Sequence, residues 1–148
     1  MILQIQKGQN NSILRKKSLK IKEVNNDIQK LAKDMLETMI ENNGVGLSAC
    51  QIGKNIRIFI VPKELSRKWV FINPKIVKIS QKTDVMKEGC LSLPGIFVPV
   101  KRAESIKIKA LDENGKEFKL KAKKLLARVI QHEYDHFNGV LITDKPHD

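Results

Sequence analysis

The chain has 148 residues and a formal net charge of +12 at pH 7. Its length supports one buried core, and no apolar run is long enough to suggest a membrane span. The first five residues lack a basic start followed by a long apolar stretch, so we expect no secretory signal. These features predict a single intracellular domain over residues 1–148.

The first predicted element is a helix, because apolar residues recur at intervals of three and four positions. We expect Gly44 to end this helix and Gly46 to permit a close approach of the backbone to a ligand. The apolar stripe consists of Val24, Ile28, Leu31, Met35 and Met39.

Short segments with alternating or continuous apolar residues follow, separated by turn signals, and they predict β-strands. A second helix is predicted over 123–138, and Gly139 is its stop signal. Strands clustered between two helices, without βαβ alternation, predict an α+β fold with mostly antiparallel sheets. The predicted strands are 56–61, 69–72, 75–79, 97–100, 106–111 and 117–122.

The second helix carries the sequence His-Glu-Tyr-Asp-His, in which His132 and His136 are four positions apart. Residues at that spacing share one helix face, so the two imidazoles converge on one point and predict a metal site. Glu133 is well placed to move a proton of a metal-bound water. A surface helix with two solvated histidines is the alternative, but both histidines lie beside the apolar stripe.

A catalytic metal usually takes three protein ligands and keeps one position open. Cys90 is the candidate for the third ligand, in the segment EGCLSLPG. There Gly89 and the pair Pro94-Gly95 predict a tight loop that breaks the local strand pattern. By composition alone, a small buried cysteine would be the commoner interpretation of Cys90.

Three segments together resemble peptide deformylase: GVGLSACQ at 44–51, EGCLS at 88–92 and QHEYDH at 131–136. Weaker similarity extends from ILRKK at 13–17 to about residue 144. The resemblance implies sheets wrapped around a central metal-binding helix, with Cys90, His132 and His136 as the metal ligands. It implies Fe²⁺ as the native ion, while Zn²⁺, Ni²⁺ and Co²⁺ also suit this ligand set.

The implied activity is removal of the formyl group from the N-terminal formyl-methionine of newly made polypeptides. Metal-bound water or hydroxide would attack the formyl carbon, with Glu133 as general acid and base. Gln51 and the backbone N–H of Leu91 are the implied donors to the oxyanion. The peptide would add main-chain hydrogen bonds beside Val45, Gly46 and Gly89. The candidate walls of the methionine pocket are Val45, Met86, Leu125 and Val129.

The chain departs from the family pattern at Ser48, where alanine is usual, and at Phe97, where some members carry arginine. The printed sequence ends at Asp148, whereas many bacterial members continue into a C-terminal helix implicated in ribosome docking. We therefore expect ribosome binding to be weak and salt-sensitive. Nascent formyl-methionine peptides are the expected partners, without membrane or specific DNA, in the cytoplasm or another compartment with bacterial-type translation.

Many lysines alternate with apolar residues, so a solvated sheet face explains the charge better than a dedicated nucleic-acid site. Two other functions remain open. A small zinc endopeptidase would share the histidine motif, but it needs a downstream third ligand, for which only His147 is present. A noncatalytic basic RNA-binding module would leave the metal-site residues without a role, and Trp69 and Tyr134 form no stacking platform. Cys50 is expected to be a free thiol.

Overall fold

The computed structural model describes residues 1–147. Within that range the chain forms three α-helices, α1 (Ser12–Arg15), α2 (Asn26–Glu41) and α3 (Lys124–His136), and two short 3₁₀ helices, Ala49–Ile52 and Ile142–Asp144. The strands are β1 (Leu47–Ser48), β2 (Ile58–Ile60), β3 (Val70–Ile79), β4 (Thr83–Cys90), β5 (Leu93–Ala103), β6 (Ser105–Leu111) and β7 (Glu117–Lys123).

The strands form one five-stranded sheet, in the order β1-β2-β3-β6-β7, and one two-stranded sheet of β4 and β5. Every pairing between these strands is antiparallel. Helix α3 contacts β1, β6 and β7 of the larger sheet and β5 of the smaller one. The predicted α+β fold, with antiparallel sheets packed around the helix that carries the histidine motif, is therefore confirmed.

Helix α2 begins at the N-cap Asn25, whose side chain accepts the backbone N–H of Ile28. Its buried face contains the predicted stripe from Ile28 to Met39, with Met35 and Met39 almost fully enclosed, whereas Val24 precedes the helix and packs against the same cluster. The left-handed residue beyond the helix is Asn43, with φ of 55°, rather than Gly44. The N–H of Gly44 instead donates to the carbonyl of Met39 at 2.9 Å, which completes a Schellman closure. The helix thus ends one residue earlier than we placed it.

Strand β3 joins two segments that were predicted as separate strands. Asn73 interrupts it with φ of 49°, and the register with β6 shifts on both sides of Lys75. The side chain of Asn73 also accepts the N–H of Ile21 and donates to its carbonyl, both at 2.8 Å. A bulged strand that holds the N-terminal segment therefore replaces the predicted break.

Strand β4 was not predicted, because its sequence TDVMKEGC is mostly exposed and lacks a clear apolar alternation. The connection to β5 is the two-residue turn of Leu91 and Ser92. Pro94 and Gly95, which we expected to break the strand, lie inside β5. Proline is tolerated there because both strands of a two-stranded sheet are edge strands. The turn places Cys90 at the end of β4, against α3.

Helix α3 buries Ala127, Val129 and Ile130 against Ile106 and Ile108 of β6. Gly139, with φ of 69°, follows the helix, and its carbonyl accepts a hydrogen bond from Arg15 at 3.0 Å. The helix is therefore held at both its apolar face and its end, which gives the metal motif a fixed platform. None of the helices formed by residues 1–147 combines the length and apolar character needed to cross a bilayer.

Candidate active site

The structure brings together Cys90 from the end of β4 and two histidines from α3, His132 and His136. One donor atom from each of the three lies within 4.8 Å of the others. The Sγ of Cys90 is 3.7 Å from the Nε2 of His136. A tetrahedral ion with its usual bonds to sulfur and nitrogen would hold those atoms roughly 3.6 Å apart. The three side chains therefore fit a divalent ion without rearrangement of the backbone.

Glu133 faces the same point from within the helix. Its Oε2 lies 4.0 Å from the Nε2 of His132, and its Oε1 lies 4.0 Å from the Nε2 of His136. The side chain is almost fully buried, and this burial raises the pKa of the carboxyl above its usual value. A buried carboxylate beside a metal position can accept and return a proton near neutral pH.

Two small residues of the first motif make room for Glu133 and hold it. The hydroxyl of Ser48 lies 3.0 Å from Glu133 Oε1 and 2.9 Å from its backbone carbonyl. A Cβ at Gly46 would lie only 2.6 Å from Glu133 Oε2. The backbone at Gly46, where we predicted a close approach to a ligand, therefore lies close to this carboxylate and also lines the cavity.

Gln51 lies in the 3₁₀ helix that follows β1, and it is buried. Its Oε1 accepts the backbone N–H of Ser48 at 2.9 Å. Its Nε2 donates to the hydroxyl of Ser92 at 3.1 Å and faces the Sγ of Cys90 at 3.6 Å. The amide is thus oriented with its N–H₂ group towards the metal position. Leu91, the other predicted donor, lies in the turn directly after Cys90.

Glu88 supports His132 from behind, and no role had been predicted for it. Its Oε1 is 2.9 Å from the Nδ1 of His132, which fixes that imidazole with Nε2 towards the metal position. Burial alone would raise the pKa of Glu88, but hydrogen bonds with His132 and Arg102 outweigh it and lower the pKa. Glu88 is therefore ionised, and it fixes the ring of His132 with Nε2 facing the metal position.

The carboxylate of Glu88 also accepts hydrogen bonds from two buried arginines. Arg102 donates to both of its oxygens, at 2.8 and 2.9 Å, and Arg128 donates to Oε2 at 2.6 Å. Arg102 further binds Asp135 at 2.7 Å, while Arg128 binds Asp84 at 2.8 Å. The network ties β4 and β5 to α3. Its members are far apart in the sequence, so no local spacing indicates it.

The two histidines differ in their electrostatic surroundings. Burial opposes a charge on His132, but hydrogen bonding to Cys90 and Glu88 outweighs it and raises its pKa to about 10. Burial and the neighbouring His132 lower the pKa of His136 well below its usual value. Within residues 1–147, the buried Nδ1 of His136 has no hydrogen-bond partner. The surroundings thus favour a positive charge on His132 and a neutral ring at His136.

A cavity of about 520 Å³ opens beside these residues. All of the predicted wall residues line it, and Val129 is buried while Val45, Met86 and Leu125 are about half exposed. Gly89 also lines the cavity and packs against the ring of Phe97. A Cβ at Gly89 would lie only 2.7 Å from Phe97 Cε1, so the ring leaves no room for a side chain at this position. The cavity is therefore apolar on its walls and polar at the metal position, as in many small-molecule sites.

Cys50 is a buried free thiol, as predicted, and burial raises its pKa to about 12. His147, the third ligand that the endopeptidase hypothesis required, is not part of the ligand cluster. Its backbone N–H instead donates to the carbonyl of Pro99 at 2.7 Å. The cluster uses Cys90, which lies upstream of the histidine motif, so the ligand geometry does not support the endopeptidase alternative.

Known proteins resemble this chain over nearly its full length. The family model described as polypeptide deformylase matches residues 2–148. Peptide deformylase 1 of Clostridium perfringens is 56% identical over 134 residues, covering 89% of this chain and 90% of that protein. The peptide deformylase of Dictyoglomus turgidum is 46% identical over 145 residues, covering 98% and 93%.

Solved structures show the same relationship. The crystal structure of peptide deformylase from Thermotoga maritima superposes with a TM-score of 0.95 at 36% identity, covering 100% of this chain and 99% of that one. A peptide deformylase from Synechococcus elongatus, solved in complex with actinonin, has a TM-score of 0.94 at 36% identity, covering 99% and 79%. Because sequence and fold agree along almost the whole chain, it belongs to the peptide deformylase family of metal-dependent enzymes, which remove the formyl group from formyl-methionine.

Proposed function

We propose that residues 1–148 act as a single catalytic domain in which Cys90, His132 and His136 hold one divalent ion. The enzyme deformylates formyl-methionine at the N-terminus of newly made polypeptides. The observation that carries this assignment of roles is the position of Glu133, whose two oxygens each lie 4.0 Å from one histidine Nε2. This arrangement puts a proton acceptor beside the point on which the three donors converge.

Fe²⁺ is the native ion in this proposal, as membership of the family implies, and a thiolate with two imidazoles suits it. Zn²⁺, Ni²⁺ and Co²⁺ suit the same donors. When bound, the ion lowers the pKa of water and polarises the formyl carbonyl. Glu88 keeps His132 in the tautomer that presents Nε2, through the 2.9 Å contact to Nδ1.

Glu133 moves the proton. Its carboxylate takes a proton from the attacking water and then delivers it to the departing amine, so that the amide bond breaks without forming a free amide anion. The raised pKa of Glu133, which results from its burial, suits both halves of this transfer. Ser48 keeps the carboxylate in one orientation by its 3.0 Å contact with Oε1.

Gln51 and the backbone N–H of Leu91 stabilise the oxyanion that develops on the formyl oxygen. Gln51 suits this role because Ser48 and Ser92 hold its amide on both sides. A donor that is already oriented requires no reorganisation during the reaction, and one such donor typically contributes a factor of about 10²–10³ in rate.

The methionine side chain occupies the apolar cavity between Val45, Met86, Leu125 and Val129. The peptide backbone runs as an added strand beside Val45, Gly46 and Gly89. Phe97 lies at the rim and is 68% exposed, so it offers the peptide an apolar ring rather than a cation. Relatives from Synechococcus elongatus and Ehrlichia chaffeensis were solved with actinonin, which supports a ligand site in this fold.

The compartment in this proposal is one with bacterial-type translation, such as the cytoplasm, because that is where formylated nascent chains arise. Contact with the ribosome is electrostatic in this proposal, through the net charge of +12, and it therefore weakens as salt rises. Neither a membrane nor a specific DNA site is part of the function.

A comparison of substrates tests the activity. A formyl-Met tripeptide should release formate, whereas its internal peptide bonds should stay intact, because the proposed site binds the formyl end beside Glu133. An acetyl-Met tripeptide of the same sequence is the matched control for the size of the removed group. Cleavage of internal bonds with retention of the formyl group would instead establish the endopeptidase alternative. Formate release and peptide fragments are measured in the same reaction.

The two cysteines provide a matched test of the metal site. Protein purified without oxygen should contain about one ion per chain. Cys90→Ala should lose it, while Cys50→Ala should keep it, because only the Cys90 thiol reaches the two histidines. Metal analysis of the three proteins decides, and full retention by Cys90→Ala would show that the ligand set is wrong.

Gly46 and Gly44 provide a second matched pair. In Gly46→Ala the new methyl group would lie 2.6 Å from Glu133 Oε2, so the carboxylate must move. Turnover should fall by about 10² or more, as for other displaced catalytic groups. In Gly44→Ala the methyl group meets the tip of Leu91 at 2.8 Å, and that flexible side chain can turn away. Equal kcat values for the two variants, with metal bound, would count against a role for Glu133 at its observed position.

A further inference from the structure

One side of the large sheet carries lysines in aligned rows. In the first row Lys78, Lys107 and Lys121 are direct cross-strand partners on β3, β6 and β7. In the second row Lys75, Lys109 and Lys119 are aligned in the same way on the same three strands. Paired residues of neighbouring strands point to the same side of a sheet, so all of these lysines share one face. We call the surface formed by these six residues the lysine face.

The lysine face is the outer side of the sheet. Five of its lysines are exposed, and Lys109 is half-exposed. The alternate residues Ile76, Ile108 and Leu120 point to the opposite side and join the core cluster that contains the residues of α3. The metal position and its cavity therefore lie across the sheet from the lysine face. A partner bound to the lysines would leave the cavity open.

Little negative charge offsets these lysines. The three strands contain one acidic residue, Glu117, which binds Lys109 at 3.2 Å. Like charges directly opposite each other destabilise a sheet, and here four cross-strand pairs are of that kind. From the sequence we expected these lysines merely to solvate a sheet face, but the register argues against that expectation. A solvated strand face needs only polar residues, and threonine or alternating charges would serve it without this repulsion. The two rows of lysines therefore concentrate positive charge on this face and lower the stability of the sheet.

We propose that the lysine face is a docking surface for the phosphate backbone of structured RNA. Lysines on one strand face are about 7 Å apart along the strand and about 5 Å apart across strands, which makes a flat, dense array of cations. Such an array matches the closely spaced phosphates of a duplex and gains free energy by counterion release. The surface reads charge rather than sequence, because ammonium groups contact phosphates without selecting bases.

Two other kinds of anionic partner fit the face less well. Single-stranded RNA is usually held by stacking on aromatic rings, but the aromatic residue of β7, Phe118, packs against the core. Insertion into a membrane surface needs a broad apolar face beside the charges. The large exposed apolar residues on these three strands are Val77 and Ile79 of β3, which supply little area.

The test compares two variants of the full chain that each lose four positive charges. One carries Lys107→Gln, Lys109→Gln, Lys119→Gln and Lys121→Gln. The control carries Lys16→Gln, Lys17→Gln, Lys20→Gln and Lys22→Gln, at exposed positions that form no ion pair within residues 1–147. The probe is a short labelled RNA duplex, titrated across a series of salt concentrations.

The lysine-face variant should bind the duplex at least about tenfold more weakly at low salt. The slope of log affinity against log salt concentration, which we call the salt slope, should fall in magnitude by about 4, one for each lost phosphate contact. The control should keep most of the affinity and slope of the parent chain. A double variant, Lys119→Gln with Lys121→Gln, should lose about half of that slope. This double variant alters only β7, the edge strand of the sheet. It therefore remains informative if the four substitutions together impair folding.

Deformylation of a formyl-Met peptide should be unchanged in all variants, because the lysine face lies across the sheet from the cavity. Thermal melting should show no loss of stability in the lysine-face variant, since repulsive pairs are removed. Equal loss of RNA binding in the control would overturn the proposal, because net charge alone would then explain the binding. Failure of the parent chain to bind the duplex at low salt, or stronger lysine-dependent binding to phosphatidylserine vesicles, would overturn it as well.

Discussion

The buried carboxylate of Glu88 is the group on which the geometry of the candidate metal site depends. It is ionised in an interior position, and an unpaired charge there would be strongly unfavourable. Arg102, Arg128 and His132 satisfy its oxygens through hydrogen bonds of 2.6 to 2.9 Å. Because these partners come from β5 and α3, the contacts that satisfy the charge also fix the helix against the small sheet. The proposed ligand on β4, Cys90, is only two residues from Glu88, so its distance to the histidines follows from the same network.

The surroundings of Glu133 depend in turn on that fixed helix. Gly46 and Ser48 can accommodate and hold the carboxylate of Glu133 only if α3 keeps its observed position. The space between residue 46 and this carboxylate is too small for one methyl group, since a Cβ at residue 46 would already collide with it. Gln51 is held by Ser48 and Ser92, and it faces Cys90 from the other side. The proposed proton acceptor, oxyanion donor and metal ligands thus share one rigid frame, in which a displacement of any element would move all three groups.

The sequence predicted those parts of the site whose geometry is local. His132, Glu133 and His136 are arranged by helix periodicity alone, and the motif around Cys90 added the proposed third ligand through its resemblance to a family. Arg102 and Arg128 could not be predicted in this way, because they reach Glu88 across 14 and 40 residues of chain. Strand β4 was missed because its residues are mostly exposed, so hydrophobic periodicity carries no signal there. The lysine rows likewise depend on strand register, which a bulge in β3 alters.

The measurement that tests the account most directly is the effect of Glu133→Gln on turnover, with metal content and formyl-Met peptide affinity determined on the same preparation. The substitution keeps the shape of the side chain but removes the proton acceptor. With about one ion still bound and peptide affinity retained, kcat should fall by about 10²–10⁴. Near-normal turnover with the ion bound would contradict the account, because Glu133 would then not be the group that carries the proton.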